Sequence, residues 1–219
     1  MALKNRTAII IGGSKGIGKE IVKELKKIKI KCSICSRKHV DTSDLSSVEK
    51  FIDKNKKTDI LILNSGGPPP LKFNQLTITD WKKYFNQLFL GFFLMLKNIK
   101  ISKNGYVFYI SSSIIKEPGN TLVISSSLRS AMSSLLKSYS IENSKKGIST
   151  INIAPGPFKT RRVKQLVKNL KLFEKNLPTK KIGDPNEIGK FVKFIIKNNI
   201  KYLSGSTIYF DGNLNKTFM

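Results

Sequence analysis

Residues 7 to 18 read Thr-Ala-Ile-Ile-Ile-Gly-Gly-Ser-Lys-Gly-Ile-Gly, and this stretch constrains the fold more than any other. The apolar, β-branched run Ala8 to Ile11 predicts a short strand buried on both faces. Gly12, Gly16 and Gly18 follow at once, and Ile17, Ile21, Val22, Leu25 and Ile28 then recur at helical spacing. A strand, a glycine turn and a helix in that order form a dinucleotide-binding turn. Glycines let the backbone approach a pyrophosphate, and the helix N-terminus supplies free N–H groups and a positive dipole end. The competing reading is an ordinary strand-to-helix turn with incidental glycines.

Strand and helix signals alternate along the rest of the 219 residues. They predict strands at 7–12, 30–36, 58–63, 104–111, 147–153 and 206–210. Helices are expected near 16–28, 44–55, 78–100, 122–144, 160–171 and 185–198. Asp44 or Ser43 is placed to cap the second helix, and Thr79 or Thr77 the third. The fold class implied is α/β: a single doubly wound parallel sheet, one Rossmann domain over 1–219, with a shortened segment after the second strand. Between Arg37 and Ser43 there is no room for the usual helix, only for a stub of strand around Val40-Asp41. The sheet edge there should be bare.

Hydrophobic content is 40%, in the ordinary globular range. Met1 to Arg6 leads directly into the first strand with no signal-like segment. The longest apolar run, Leu88 to Leu96, is too short to span a bilayer. Cys32 and Cys35 fall in a strand, where a separation of three puts them on opposite faces. They read as buried thiols and not as a redox or metal pair, so a reducing, cytoplasmic setting and no metal site are expected. The net charge of +26 raises the question of nucleic acid or membrane binding. Only Arg6, Arg37, Arg129, Arg161 and Arg162 are arginine; the other 35 of the 40 basic residues are lysines spread over every predicted helix. Phosphate and base readers favour arginine forks in a dense patch, so no specific nucleic-acid partner and no membrane partner are expected.

Five segments, the glycine turn among them, combine in order. Gly12-Gly13-Ser14-Lys15-Gly16-Ile17-Gly18 is followed by Asp41-Thr42-Ser43-Asp44, then by Asn64-Ser65-Gly66-Gly67. Asn152-Ile153-Ala154-Pro155-Gly156 with Thr160 comes next, and Tyr202-Leu203-Ser204-Gly205 with Tyr209-Phe210-Asp211-Gly212 closes the series. Together they resemble the short-chain dehydrogenase/reductase family over nearly the whole chain. The resemblance implies a nicotinamide dinucleotide held by Gly12, Ser14, Lys15, Gly16, Ile17 and Gly18 in the turn. It implies Asp41 near adenine, with Asn64, Ser65 and Gly66 beside the cofactor. Pro155, Gly156 and Thr160 would lie at the nicotinamide end. Ser36 ends the second strand where NAD-preferring members carry an acid, and Arg37 follows it. Arg37 and Lys15 without a competing carboxylate favour the 2′-phosphate, hence NADP (as NADPH) over NAD.

The family's acid is a tyrosine in Tyr-x-x-x-Lys, its pKa lowered by the lysine and the cofactor charge. Here the six tyrosines are followed four residues on by Leu88, Ile110, Ser113, Asn143, Ser206 and Asn213. Ser112 in Ile110-Ser111-Ser112-Ser113 stands in the register of the family's serine. Counting onward puts Ser125 at the tyrosine position and Arg129 at the lysine position, one helical turn apart and on one face. Counting from Trp81 puts Leu88 where an asparagine often completes the set, with Asn86 nearby. The chain thus resembles a divergent, 3-oxoacyl-carrier-protein reductase-like subgroup. Serine is a far weaker acid than tyrosine, and arginine keeps its proton. Ser112, Ser125 and Arg129 are nevertheless the candidate catalytic set, with Lys116 or Glu117 as substitute proton donors.

His39, after Arg37 and Lys38, reads as a surface residue near adenosine. Arg161, Arg162 and Lys164 fall in a lid-like segment, as an anion-attracting cluster or a solvated face. Phe85, Phe89, Phe92 and Phe93 read as core and as subunit interface, so a homodimer or homotetramer is expected. The expected function is hydride transfer between nicotinamide and a small carbonyl or alcohol, anionic if the arginines face it. The alternative is a non-catalytic dinucleotide-binding sensor or assembly protein. The two differ in whether cofactor binding is accompanied by turnover.

Overall fold

The structure, a computed structural model, describes residues 5–217. Alternation along the strands creates its layers. In β1 (Thr7–Ile11), Ala8 and Ile10 face one side of the sheet and Ile9 and Ile11 the other. β3 (Lys57–Asn64) repeats this with Ile60 and Ile62 against Leu61 and Leu63, and β4 (Lys100–Ile110) with Tyr106 and Phe108 against Val107 and Tyr109. Each face therefore carries its own apolar layer, and each layer must be covered by helices.

Helices α1 (Gly16–Lys27) and α8 (Pro185–Lys197) cover the first face through Ile21, Val22, Leu25, Ile188, Val192 and Ile195. The second face is covered by α2 (Leu45–Lys54), α4 (Gly91–Asn98) and α5 (Val123–Asn143), through Val48, Phe51, Phe92, Met95, Met132 and Leu136. The remaining strands are β2 (Lys31–Cys35), β5 (Ser149–Pro155) and β6 (Ser206–Phe210). All six run parallel in the order β2-β1-β3-β4-β5-β6. The chain leaves β1 outward to β2 and returns to β3 on the other side of β1. This reversal opens a crevice at the C-terminal ends of β1 and β3.

The expected elements are present, with four corrections. No strand forms at Val40-Asp41, so β2 is the sheet edge, with Lys31, Ser33 and Ile34 exposed. Val40 instead buries itself in the second apolar layer. The predicted helix 78–100 is α3 (Ile78–Phe85) and α4, joined by a wider π-type turn at Asn86–Leu90. β4 starts at Lys100, before its predicted residue 104, and its register with β3 shifts between Thr58 and Ile60. The predicted helix 160–171 is two short ones, α6 (Arg161–Leu166) and α7 (Leu170–Asn176). Asp44 caps α2 and Thr77 caps α3, each through its side chain. Cys32 and Cys35 are free and lie in opposite apolar layers, as strand geometry requires. Burial pushes the Cys35 thiol up to about 11, so it stays protonated.

α1 and α8 pack closely because Gly189 leaves no side chain between them; a Cβ there would lie 2.6 Å from the Glu20 carbonyl oxygen. Beside this contact the buried Glu24 carboxylate accepts hydrogen bonds from Lys193 and Lys27. Those bonds, that of Lys193 first, hold its pKa below the usual carboxylate value. A lowered folded-state pKa stabilises the fold above the unfolded value of about 4.3 and is lost as pH falls through the folded value. Glu24→Gln should therefore flatten the fall of stability below about pH 4.3. Urea unfolding between pH 3 and 7 measures this, and an unchanged slope would exclude the linkage.

Candidate functional site

The glycine turn is built against β3. Gly12 (φ +65°) and Gly16 (φ +54°) occupy the left-handed region that side chains disfavour. A Cβ on Gly12 would lie 2.6 Å from the Asn64 carbonyl oxygen, and one on Gly18 only 2.3 Å from the Gly12 carbonyl oxygen. Asn64 Nδ2 donates to that same Gly12 oxygen at 3.1 Å. α1 starts with Lys15 at its N-cap, no side-chain cap and no acid in its first turn. Its leading N–H groups are thus left for an anion.

A cleft of about 620 Å³ opens over this turn. It is lined by Gly12, Ser14, Lys15, Gly16, Ile17, Ser36, Arg37, Asn64, Ser65, Gly66, Pro155, Gly156 and Thr160. Ser112, Ser125 and Arg129 line the same cleft. Residues distant in sequence thus share one space. Gly18 and Asp41 do not line it. Gly18 is a packing glycine, allowing α1 to touch the turn. The Asp41 carboxylate accepts from the Ser43 N–H and hydroxyl at 3.0 and 2.7 Å, and lies 3.8 Å from Arg37 Nε.

Ser125 and Arg129 share a face of α5, and both are buried. Arg129 Nε donates to Ser125 Oγ at 3.2 Å. Nη1 donates to the carbonyls of Ile110 (3.0 Å) and Ser111 (3.2 Å), and Nη2 to that of Ser65 (3.0 Å). The guanidinium therefore ties together the ends of β3, β4 and α5. Ser112 makes no side-chain hydrogen bond among the described residues, while Ser111 turns its hydroxyl to the Ile153 carbonyl.

The charge in the cleft is one-sided. Lys15, Arg37, Arg129, Arg161 and Arg162 line it, and no carboxylate does among the described residues. Four of the five arginines in the chain stand here, with one of its 35 lysines. Arg162 Nη2 donates to the Pro68 carbonyl, so the α6 segment reaches across the cleft to the loop after β3. Burial, then the nearby Arg129 charge, lowers the Arg162 pKa.

Other expected participants stand elsewhere. Glu117 accepts from the backbone N–H groups of Lys216 and Thr217, and Lys116 lies over the Tyr209 ring at 5.3 Å. Neither lines the cleft, so the substitute proton-donor assignment does not fit; Glu117 anchors the C-terminal segment and Lys116 packs on β6. His39 is exposed, with Nδ1 2.9 Å from Ser36 Oγ. Lys164 is exposed outside the cleft lining. Leu88 belongs to a small apolar cluster with Ile124 and Leu128, and Asn86 donates to the Ser43 carbonyl at 3.4 Å.

The neighbouring Gln87, not singled out in the sequence, does reach the site. It is buried and donates to Ser65 Oγ (3.0 Å) and the Gly66 carbonyl (2.8 Å), fixing the loop after β3. The π-type turn places it there, and its only sequence signal was an amide side chain between Asn86 and Leu88.

A family model described as enoyl-(acyl carrier protein) reductase matches residues 12–215. The chain is 27% identical to the 3-oxoacyl-[acyl-carrier-protein] reductase FabG of Buchnera aphidicola subsp. Baizongia pistaciae, over 98% of this chain and 99% of that protein. It is 25% identical to the NADPH-dependent reductase BacG of Bacillus subtilis, over 98% of this chain and all of that one. Its fold matches that of a short-chain dehydrogenase from Burkholderia cenocepacia in complex with NADP, with a TM-score of 0.84, 15% identity, and 97% and 98% of the two chains covered. The glycine turn, the parallel sheet and this match over most of the sequence agree: the chain belongs to the enoyl-(acyl carrier protein) reductase family, within the short-chain dehydrogenase/reductases.

Proposed function

We propose that the protein is an NADPH-dependent oxidoreductase that reduces a small carbonyl compound, or oxidises the corresponding alcohol. The carrying observation is the single cleft in which an uncapped helix N-terminus, Arg37 and Lys15, and Ser112 meet. The residues fit the dinucleotide: the glycines leave the space that side chains would fill, and the first turn of α1 offers N–H groups to the pyrophosphate. Arg37 and Lys15 would hold the 2′-phosphate. NADPH supplies the hydride, and the protein supplies position and field. Similarity to a reductase named as NADPH-dependent supports the same choice.

Ser112 donates a hydrogen bond to the carbonyl oxygen and so stabilises the charge that develops there. Reduction would place the cofactor's hydride on the carbonyl carbon and one proton on the oxygen, leaving the alcohol and NADP⁺. The cleft lining holds no tyrosine, histidine or carboxylate among the described residues. The proton therefore comes from water, with the Ser112 hydroxyl on its route. Arg129 holds the ends of β3 and β4 and presents its guanidinium to the cleft. The cationic cleft favours a substrate carrying a negative charge. The free thiols on both faces of β2 suit a reducing, cytoplasmic setting. On the outer side of α3 and α4, Phe85 is exposed and stacks on Phe89 at 5.4 Å. This face is the proposed contact of a homodimer or homotetramer, which sedimentation velocity would detect.

The experiment is a fluorescence titration with NADPH and NADH, followed by oxidation assays against carbonyl compounds on the same sample. Tighter NADPH binding with turnover supports the reductase. Binding without turnover against a broad panel would favour a non-catalytic binder, consistent with the missing tyrosine and lysine. Ser112→Ala should lower kcat about 10- to 100-fold with NADPH affinity unchanged. Retention of full kcat would remove Ser112 from the reacting oxygen.

A further inference from the structure

Gly67 marks a point where three donors from two helices meet. A methyl group placed on it would lie 3.4 Å from Ser125 Oγ, 3.5 Å from Arg162 Nη2 and 3.8 Å from Arg129 Nη2. Ser125 comes from α5, Arg129 from its next turn, and Arg162 from α6. Each keeps donor capacity. Ser125 accepts from Arg129 Nε, so its own O–H remains to be donated. Arg129 Nη2 uses one bond, to Ser65, and among the described residues Arg162 makes one hydrogen bond, to Pro68. Two guanidinium groups are thus held near each other, partly out of water, and no carboxylate lines the cleft among the described residues. Such an arrangement costs free energy until an anion enters.

We infer that Ser125, Arg129 and Arg162 form a carboxylate subsite around Gly67, and that the substrate is a free oxo acid with an apolar tail. The inference rests on the reductase reading above and specifies its substrate. Two guanidiniums and a hydroxyl match the two oxygens of a carboxylate with charge-assisted hydrogen bonds. Beyond them the cleft is walled by Ile114, Leu122, Val163, Leu166, Phe173 and Leu214, which suit a hydrocarbon tail. Ser112 lines the same cleft, so carbonyl and carboxylate are read in one space. An acyl thioester has its carboxyl carbon bound to sulfur and carries no such charge; it would leave both guanidiniums unpaired. The arginine bias supports a specific role. Lysine is the surface cation of this chain, yet the groups converging on Gly67 are the forked ones.

The test is calorimetric titration of the NADP-saturated protein with 2-oxooctanoate, 3-oxooctanoate, their methyl esters and 3-oxooctanoyl-pantetheine. At least one acid should bind about tenfold or more tightly than its ester and than the thioester. Arg162→Gln should weaken that acid about thirtyfold and its ester less than about twofold. Lys168→Gln, an equal loss of charge at an exposed position, should change neither. NADPH should bind all three proteins alike. Equal binding of acid and ester, preference for the thioester, no binding of either acid, or equal weakening of acid and ester in Arg162→Gln would each overturn the subsite. Failure of the unmodified protein to bind NADPH would instead strike the reductase reading itself.

Discussion

Arg129→Met lowers stability by about 3–5 kcal/mol, the range for removing one partner of a buried, hydrogen-bonded charge network. In a chain of this size that is a fall of roughly 6–20 °C in melting temperature. The cause is what the guanidinium leaves behind. The carbonyls of Ile110, Ser111 and Ser65 each accept one of its hydrogens, and Ser125 Oγ accepts another. Methionine fills much of the volume and donates nothing, so buried acceptors lose their partner. Arg129→Lys recovers only part of the loss, because a compact ammonium cannot span carbonyls on two strands. Scanning calorimetry reads both variants. A fall below about 3 °C in Arg129→Met would show that water or a neighbour satisfies those carbonyls. The result also guards against misreading kinetics: lost turnover in Arg129→Met counts as chemistry only at a temperature where the variant is folded.

Arg37→Asp reverses the cofactor preference, with the NADPH to NADH affinity ratio falling about 100-fold or more. Arg37 lines the cleft at the end of β2, after Ser36, and its side chain is exposed. Its contact with Asp41, at 3.8 Å, is an exposed ion pair of about 0–1 kcal/mol, so a phosphate can displace it. Aspartate removes a charge-assisted donor, repels the 2′-phosphate and can accept from a ribose hydroxyl. Two effects therefore act on the ratio, one on each cofactor. Lys15→Gln should act in the same direction but more weakly, since lysine offers a point charge from an exposed stem. Paired titrations at one ionic strength are required, because a chain of net charge +26 attracts any polyanion at low salt. An unchanged ratio would place the 2′-phosphate elsewhere.

The parts of the site legible in the sequence were those fixed by backbone needs. Gly12 and Gly16 adopt positive φ, and Gly18 touches the Gly12 carbonyl, so the spacing of glycines reports a geometry directly. Ser125 and Arg129 were legible as a helical pair because four residues return to one face. Gln87 was not. It depends on the widened turn at Asn86–Leu90, which shifts the helical phase and puts Gln87, between two other candidates, against Ser65 and Gly66. Arg162 carried a basic signal with no direction, and its contact with Pro68 spans 94 residues. Glu117 misled in the opposite way: it follows Ser112 closely in sequence, yet the C-terminal segment claims its carboxylate.

Local pattern was enough to set the alternation of strands and helices, the parallel sheet, the glycine turn and the missing segment after β2. These follow from periodicities of two and 3.6 residues and from conformations only glycine tolerates, all local properties. Packing in three dimensions alone brought four arginines into one cleft that no carboxylate lines among the described residues. It decided too that Arg129 bolts β3, β4 and α5 together, and that Ser125, Arg129 and Arg162 face Gly67. Those arrangements depend on how α5 and α6 settle over the ends of separate strands. No local periodicity encodes that distance, because burial of apolar faces fixes where the helices sit and their charged side chains are carried along.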